Sequence, residues 1–191
     1  MNTAIAILVI LNLAMIGLLP IVFFRRDGHF NSAWLMTAAP FFACTAFLLL
    51  GMGGILQTQL VADAWLISTM QLLAIPASVV SITLIGLTVG VHRVPLALWH
   101  QQNDAPAEIV TWGPYARVRH PFYTSFLVNL LAACLVFPHV LTLATFIYAL
   151  TALTITARGE EKRLMSSKFG NEYRSYCNHT GRFLPRLGAI Q

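Results

Sequence analysis

Charge is what this sequence has least of. Only 10% of its 191 residues are charged while 57% are hydrophobic, and the mean hydropathy is +0.70, whereas a soluble domain carries about 25% charged residues. So few charges cannot cover a water-facing surface for a chain of this length, which excludes an ordinary soluble domain and leaves lipid as the solvent for much of the molecule. Cysteine is also scarce. Cys44 and Cys134 fall in apolar runs and Cys177 stands alone in a polar segment, so no disulfide framework can be built. The histidines at 29, 92, 100, 120, 139 and 179 show no i, i+3 or i, i+4 pairing, and no cysteine pair accompanies them, which argues against a metal site. Acids are outnumbered, seven against twelve Lys and Arg. The resulting charge of +5 does not point to nucleic acid, because the basic residues collect in short segments between apolar runs, as juxtamembrane residues do.

What is present is a series of long uncharged stretches. Residues 3–24 hold no charge, and 22 residues at 1.5 Å rise reach about 33 Å, enough for a hydrocarbon core of about 30 Å. Arg25 and Arg26 follow directly, where a signal peptide would have a small-residue cleavage site, so the stretch reads as an anchor. Residues 30–62 divide into a helix from about 34 to 50 and a turn with Gly51, Gly53 and Gly54. Residues 64–91 form a third span with a kink expected at Pro76, ended by His92 and Arg93. Residues 121–157 are too long for one span, and Phe137, Pro138 and His139 break them into a hairpin whose arms, 17 to 18 residues each, imply a thin bilayer or packing against other protein.

Five spans put all twelve Lys and Arg on one side and leave the other with only Asp63 and His139. The expected architecture is therefore an all-α integral membrane protein of five transmembrane helices with a cytoplasmic C-terminal helical cap, N-terminus outside and C-terminus in the cytoplasm. Residues 1–93 would hold three spans. Residues 94–191 would hold the hairpin, 121–157, and two cytoplasmic segments, about 94–120 and 158–191. No repeat or low-complexity stretch appears, and the short outer connections leave chemistry to the cytoplasmic face.

Two segments there carry reactive side chains. In the first, Gly113 and Pro114 mark a turn, and Pro121 opens a helix and drives His120 into extended backbone near the N-cap. With Arg117 and Arg119 beside helix-end amides this suits a carboxylate or phosphate; the same residues also read as positive-inside anchors, with Tyr123 an interfacial aromatic. In the second, residues 158–177 read as two short amphipathic helices. Leu164, Met165 and Phe169 share a face of one, Gly170 is its stop, and Tyr173, Tyr176 and Cys177 share a face of the other. A charged helix on an anionic leaflet is an equal reading, but Glu160 and Glu161 would repel anionic headgroups and need a cation or hydrogen-bond donors. Together the segments offer arginine for a carboxylate, acids for hydroxyls or amines and tyrosines for a ring or a cation, parts that match S-adenosylmethionine.

The stretch from Val110 through Tyr115 and from Arg119 to Tyr123 resembles the G-P-Y and R-H-P-x-Y block of the isoprenylcysteine carboxyl methyltransferase family, short prokaryotic type. Glu160 and Glu161 with Leu164, Phe169, Gly170, Tyr173, Tyr176 and residues 182–185 resemble its second block; phospholipid N-methyltransferases are more distantly similar. The resemblance covers about residues 108–187. It implies a membrane methyltransferase that uses S-adenosylmethionine as cofactor and a lipophilic methyl acceptor arriving from the bilayer, with no metal and no nucleic acid. It implies that Arg119, His120 and Tyr123 hold the cofactor's amino-acid end, that Gly113, Pro114 and Tyr115 line its adenosine region, and that Glu160, Glu161, Tyr173 and Tyr176 close the pocket. Arg158, Glu161 and Arg182 are the catalytic candidates, the two arginines either orienting an acceptor carboxylate or holding headgroups. Ser125 replaces a frequent glycine, and Ala116 and Arg117 replace a basic-aromatic pair, departures that bear on the acceptor. A membrane NADPH-dependent reductase and a non-enzymatic membrane scaffold are the competing functions.

Overall fold

The computed structural model describes residues 1–18, 29–30, 32–57, 60–91 and 109–186. Arg25, Arg26, the end of the first expected span, and residues 92–108 with His92 and Arg93 lie outside the described residues. The rest is all-helical: α1 (Thr3–Leu18), α2 (Ser32–Met52), α3 (Ala64–Val91), a 3-10 turn (Gly113–Ala116), α4 (Pro121–Val136), α5 (Val140–Met165) and α6 (Gly170–His179). Two of these, α3 and α5, are long and apolar enough to cross a membrane, whereas residues 3–17, 36–52 and 121–136 make shorter apolar helices.

Local chemistry sets the helix starts. Asn2 caps α1 by accepting from the amides of Ala4 and Ile5 at 3.1 and 3.2 Å, and Asp63 caps α3 by accepting from Leu66 N at 2.7 Å. His139 caps α5, its Nδ1 accepting from Leu141 N at 3.1 Å while its own amide donates to Thr142 Oγ1 at 3.3 Å. The turn at Phe137, Pro138 and His139 is thus where the hairpin was expected.

Large apolar side chains face outward, and several polar ones are buried together with the apolar core. Leu11, Leu72, Leu87 and Ile155 are 57–65% exposed, while Asn12, Gln71, Ser81, Thr88, Ser125, Asn129 and Thr142 are buried. Water would reverse this pattern; lipid favours it, since polar groups there must find partners inside the protein. Gln71 illustrates the requirement: it accepts from Asn2 N at 3.0 Å and donates to Val136 O at 3.1 Å, joining the ends of α1 and α4 to α3. Between the helices lies a core of Leu13, Ile16, Leu48, Leu130 and Val136, with Phe41 edge-on to Phe126 at 5.1 Å. α4 is enclosed by α1, α2, α3 and α5, most extensively by α3, and this packing explains how a 16-residue helix is accommodated.

Three expectations need correction. α5 does not stop near residue 157 but runs 26 residues, so the separate amphipathic helix expected over 158–165 is its continuation. No breaker intervenes except Gly159, and a single glycine costs a helix only about 1 kcal/mol. Gly170 does not stop that helix; the chain turns at Ser166–Phe169 and Gly170 opens α6. Phe169 consequently lies in the turn, off the face it was expected to share with Leu164 and Met165.

Candidate functional site

The site lies where α5 emerges from its apolar run. Beyond Ala157 the helix carries on for two turns, Arg158 to Met165, past its uncharged stretch, and there it presents Glu160 and Glu161 to the start of α4. The chain reaches that point through the 3-10 turn, in which Pro114 occupies an early position and Gly113 has φ +62°, with Val91 Cγ2 2.8 Å from where a Cβ would stand. Only glycine suits both the left-handed backbone and the close approach. His120 is the N-cap of α4 and Pro121 its first residue, as expected, but the His120 side chain makes no cap hydrogen bond. It turns instead to the two acids, Nε2 3.3 Å from Glu161 Oε1 and Nδ1 3.4 Å from Glu160 Oε2.

Glu161 is the hub. Arg119 Nε donates to its Oε1 at 2.9 Å, and Arg182 donates through Nε to Oε1 at 3.1 Å and through Nη2 to Oε2 at 2.6 Å. Burial alone would push this carboxyl up, but hydrogen bonds from His120, Arg182 and Arg119 outweigh it and hold Glu161 well below the usual carboxylate range. The same bond raises Arg182 above its ordinary value. Its neighbour Glu160 is shifted the other way: burial raises it, opposed by the hydrogen bond from Tyr123 OH at 2.7 Å and by His120 and Arg163. Two consecutive carboxyls thus differ in character, one locked as an anion and one that gains from a proton or a cation.

A strap of chain after α6 completes the cluster. Arg119 N donates to Gly181 O at 2.8 Å, His120 N to Arg182 O at 3.1 Å and Gly181 N to Arg117 O at 3.4 Å, so residues 180–182 lie alongside 117–120 like a short parallel strand. Thr124 Oγ1 donates to Phe183 O at 2.8 Å, and Arg119 Nη1 donates to Thr180 O and, at 3.4 Å, to Cys177 O. At Gly181 any Cβ would collide with the Leu184 carbonyl oxygen. Thr124, Thr180 and Gly181 are the residues sequence reasoning missed, and Phe183 was read only as part of the second block, without a role; the only signal for the others was a Thr-Gly pair after a helix.

Aromatic rings line the cluster. His120 stacks on Tyr123 with centroids 5.3 Å apart and planes within 5°, and Phe183 meets His120 edge-on at 6.2 Å. Tyr173 is buried, and Tyr176 OH donates to Tyr115 O at 2.6 Å, tying α6 to the 3-10 turn. Burial raises the hydroxyls of Tyr115 and Tyr173 and pushes Tyr176 up to about 12, so all three are neutral donors at neutral pH. Of the expected site residues, Arg119, His120, Tyr123, Glu160, Glu161 and Arg182 come together directly, and Tyr115, Tyr173 and Tyr176 surround them. Arg158 is exposed, and the ion pairs formed among the described residues do not include it.

An apolar exterior, polar side chains buried among an apolar core and a charged cluster at one end of the helices are the features of an all-helical membrane protein. Within it, the model of the isoprenylcysteine carboxyl methyltransferase (ICMT) family matches residues 97–166, the stretch holding the 3-10 turn, the hairpin and both glutamates. The resemblance to that family holds over this segment, and the class it points to is a membrane methyltransferase. No curated protein and no solved structure matches the chain.

Proposed function

We propose that the protein is an integral membrane methyltransferase that takes its methyl group from S-adenosylmethionine and passes it to a lipophilic acceptor, by carboxyl O-methylation of an isoprenylcysteine-like substrate. The observation that carries this reading is the meeting of two sequence-distant blocks at Glu160 and Glu161 inside the family-matched segment. The residues suit the cofactor. Glu160, raised by burial and still 26% exposed along its side chain, gains from a cationic neighbour, with Tyr123 hydrogen-bonded to it, Tyr115 near it, and Tyr173 and Tyr176 beside the Arg119 side of the cluster. Gly113, Pro114 and Tyr115 would hold the adenosine end, and Arg119, His120 and Tyr123 the amino-acid end. When bound, S-adenosylmethionine supplies an activated methyl. The chain's part is to hold donor and acceptor in line and exclude water, with Arg182, Arg158 and Glu161 ordering the acceptor side. In this reading five helices span the membrane with the site on the cytoplasmic face.

Glu160 also favours a second acceptor class. A phospholipid amine or another X–H acceptor loses a proton as its bond to carbon forms, and a carboxylate whose proton affinity is raised by burial is suited to accept it.

Titration calorimetry of the detergent-solubilised protein with S-adenosylmethionine and with NADPH tests the cofactor. Saturable binding of the first alone is expected, and binding of NADPH alone would make the protein a reductase. Labelled methyl recovered in a lipid extract separates an enzyme from a scaffold, and mass analysis of the product separates methyl ester from methylated amine. His120→Ala and Tyr123→Ala should abolish cofactor binding while the protein stays folded; unchanged affinity would defeat this placement of the pocket.

A further inference from the structure

Mid-span, away from the charged cluster, α3 and α4 bury polar side chains that the proposed reaction does not use. Ser81 Oγ donates to Ser125 O at 2.8 Å and Gln71 Nε2 to Val136 O at 3.1 Å, so α4 runs antiparallel to α3 and the two are in register along this interface. Ser78 stands three residues before Ser81, on the same face of α3; Asn129 stands four after Ser125, on the same face of α4. At 1.5 Å per residue they come to the same level within about 2 Å. Ser78 is 1% and Asn129 0% exposed, yet Ser78 Oγ and both Asn129 Nδ2 and Oδ1 have no hydrogen-bond partner among the described residues. Asn12, also buried, belongs to α1, which packs on both helices.

Three unpartnered polar atoms buried at one level of the α3–α4 pair in a membrane protein are costly unless something small joins them. The side chains do not bond each other directly. Their joint offering, an amide donor, a carbonyl acceptor and a hydroxyl that does either, suits a neutral ligand with two donors and two acceptors. Their complete burial keeps lipid away. We propose that Ser78 and Asn129 bind one water molecule between α3 and α4, three polar partners being the number a buried water usually finds. This bridge and the Ser81–Ser125 bond one turn away fix the rotation of α4 against α3, and with it the direction of Tyr123, which lies two residues before Ser125.

The test uses the full chain in nanodiscs, labelled with 15N-asparagine, with the Asn129 side-chain amide assigned by its loss in Asn129→Leu. A nuclear Overhauser contact from that amide to long-lived water is expected. Contacts only to protein methyl or lipid acyl protons would overturn the proposal. Thermal unfolding in detergent provides a second readout through Ser78→Ala, which retains the fold's apolar packing. With the water present, Ser78→Ala should lower Tm by about 2–4 °C in the native background and change nothing in Asn129→Leu. A rise in Tm, or the same loss in both backgrounds, would mean that no shared ligand joins the pair.

Discussion

The adjacent residues Glu160 and Glu161 differ only in what surrounds them, and their different environments make opposite predictions. Glu161 is bonded by Arg119, Arg182 and His120, so Glu161→Ala strands two guanidinium groups in a partly enclosed site; removing one partner of such a pair costs about 3–5 kcal/mol, and a marked fall in Tm is expected. Its depressed titration means that the stabilisation over Glu161→Gln is full above the ordinary carboxylate value of 4.5 and is lost as pH falls from there towards the folded value. Glu160 is raised, so its ionisation works against folding. The Tm of Glu160→Gln relative to wild type should climb as pH increases from 4.5 through the folded value. Unfolding curves from pH 2 to 8 check both, the Glu161 effect below 4.5 and the Glu160 effect above it, and parallel pH slopes for the two variants would contradict the assignment. That these acids need a cation or hydrogen-bond donors was legible in the sequence, because bare carboxylates beside a membrane demand partners; that His120 would be one of them was not. Which acid would take the arginines was not, since that depends on which face of α5 meets the strap, and Gly181, where Gly181→Ala would push that strap off residues 117–120, carries no periodic signal of its own.

Element boundaries followed the hydrophobic pattern where strong breakers stood and departed from it where weak ones did. The Phe137, Pro138 and His139 turn was legible because proline removes a donor and His139 can cap, and α3 was legible from the run between Asp63 and Val91 even with Pro76 inside it. The change from apolar to charged residues near 158 looked like an end, but the backbone ladder continues, and α5 carries Glu160 and Glu161 as a rigid arm. Gly159 is the weakest position on that arm. It is exposed, with nothing within 4 Å of a Cβ placed there, so Gly159→Ala gains helix propensity of about 1 kcal/mol without a clash and should raise Tm by about 2–4 °C. Gly159→Pro should do the reverse, removing a helix hydrogen bond just before the two acids, and cofactor affinity should be lost with it. Calorimetric unfolding and S-adenosylmethionine titration of the two variants check this arm; equal behaviour of Ala and Pro would show that α5 need not be continuous.

At the scale of the whole molecule, the distribution of charge and the arrangement of the helices bear on sidedness independently. Every Lys and Arg falls in one of three segments that alternate along the chain with Asp63 and His139, and α3 and α4 run antiparallel with Gln71 and Val136 joined at one end. That end also holds Asn2, and near it Leu60 N donates to Pro138 O at 2.8 Å. The start of α1, the start of α3 and the α4–α5 turn therefore share a side, and Glu160, Glu161, the strap and α6 occupy the opposite one. The positive-inside rule predicts that the second side is cytoplasmic, because it carries Arg117, Arg119, Lys162, Arg163, Lys168, Arg174, Arg182 and Arg186. Single cysteines test the assignment in a background with Cys177 replaced by serine, since Cys44 and Cys134 lie within the helix bundle. With a membrane-impermeant maleimide, Asp63→Cys should react on intact cells. Asn178→Cys, exposed on α6, should react only in inverted vesicles. Labelling of both from one side would break the antiparallel arrangement, and labelling of each from the side opposite to that expected would leave the fold standing but put the charged cluster outside, where no supply of S-adenosylmethionine from the cell interior could reach it.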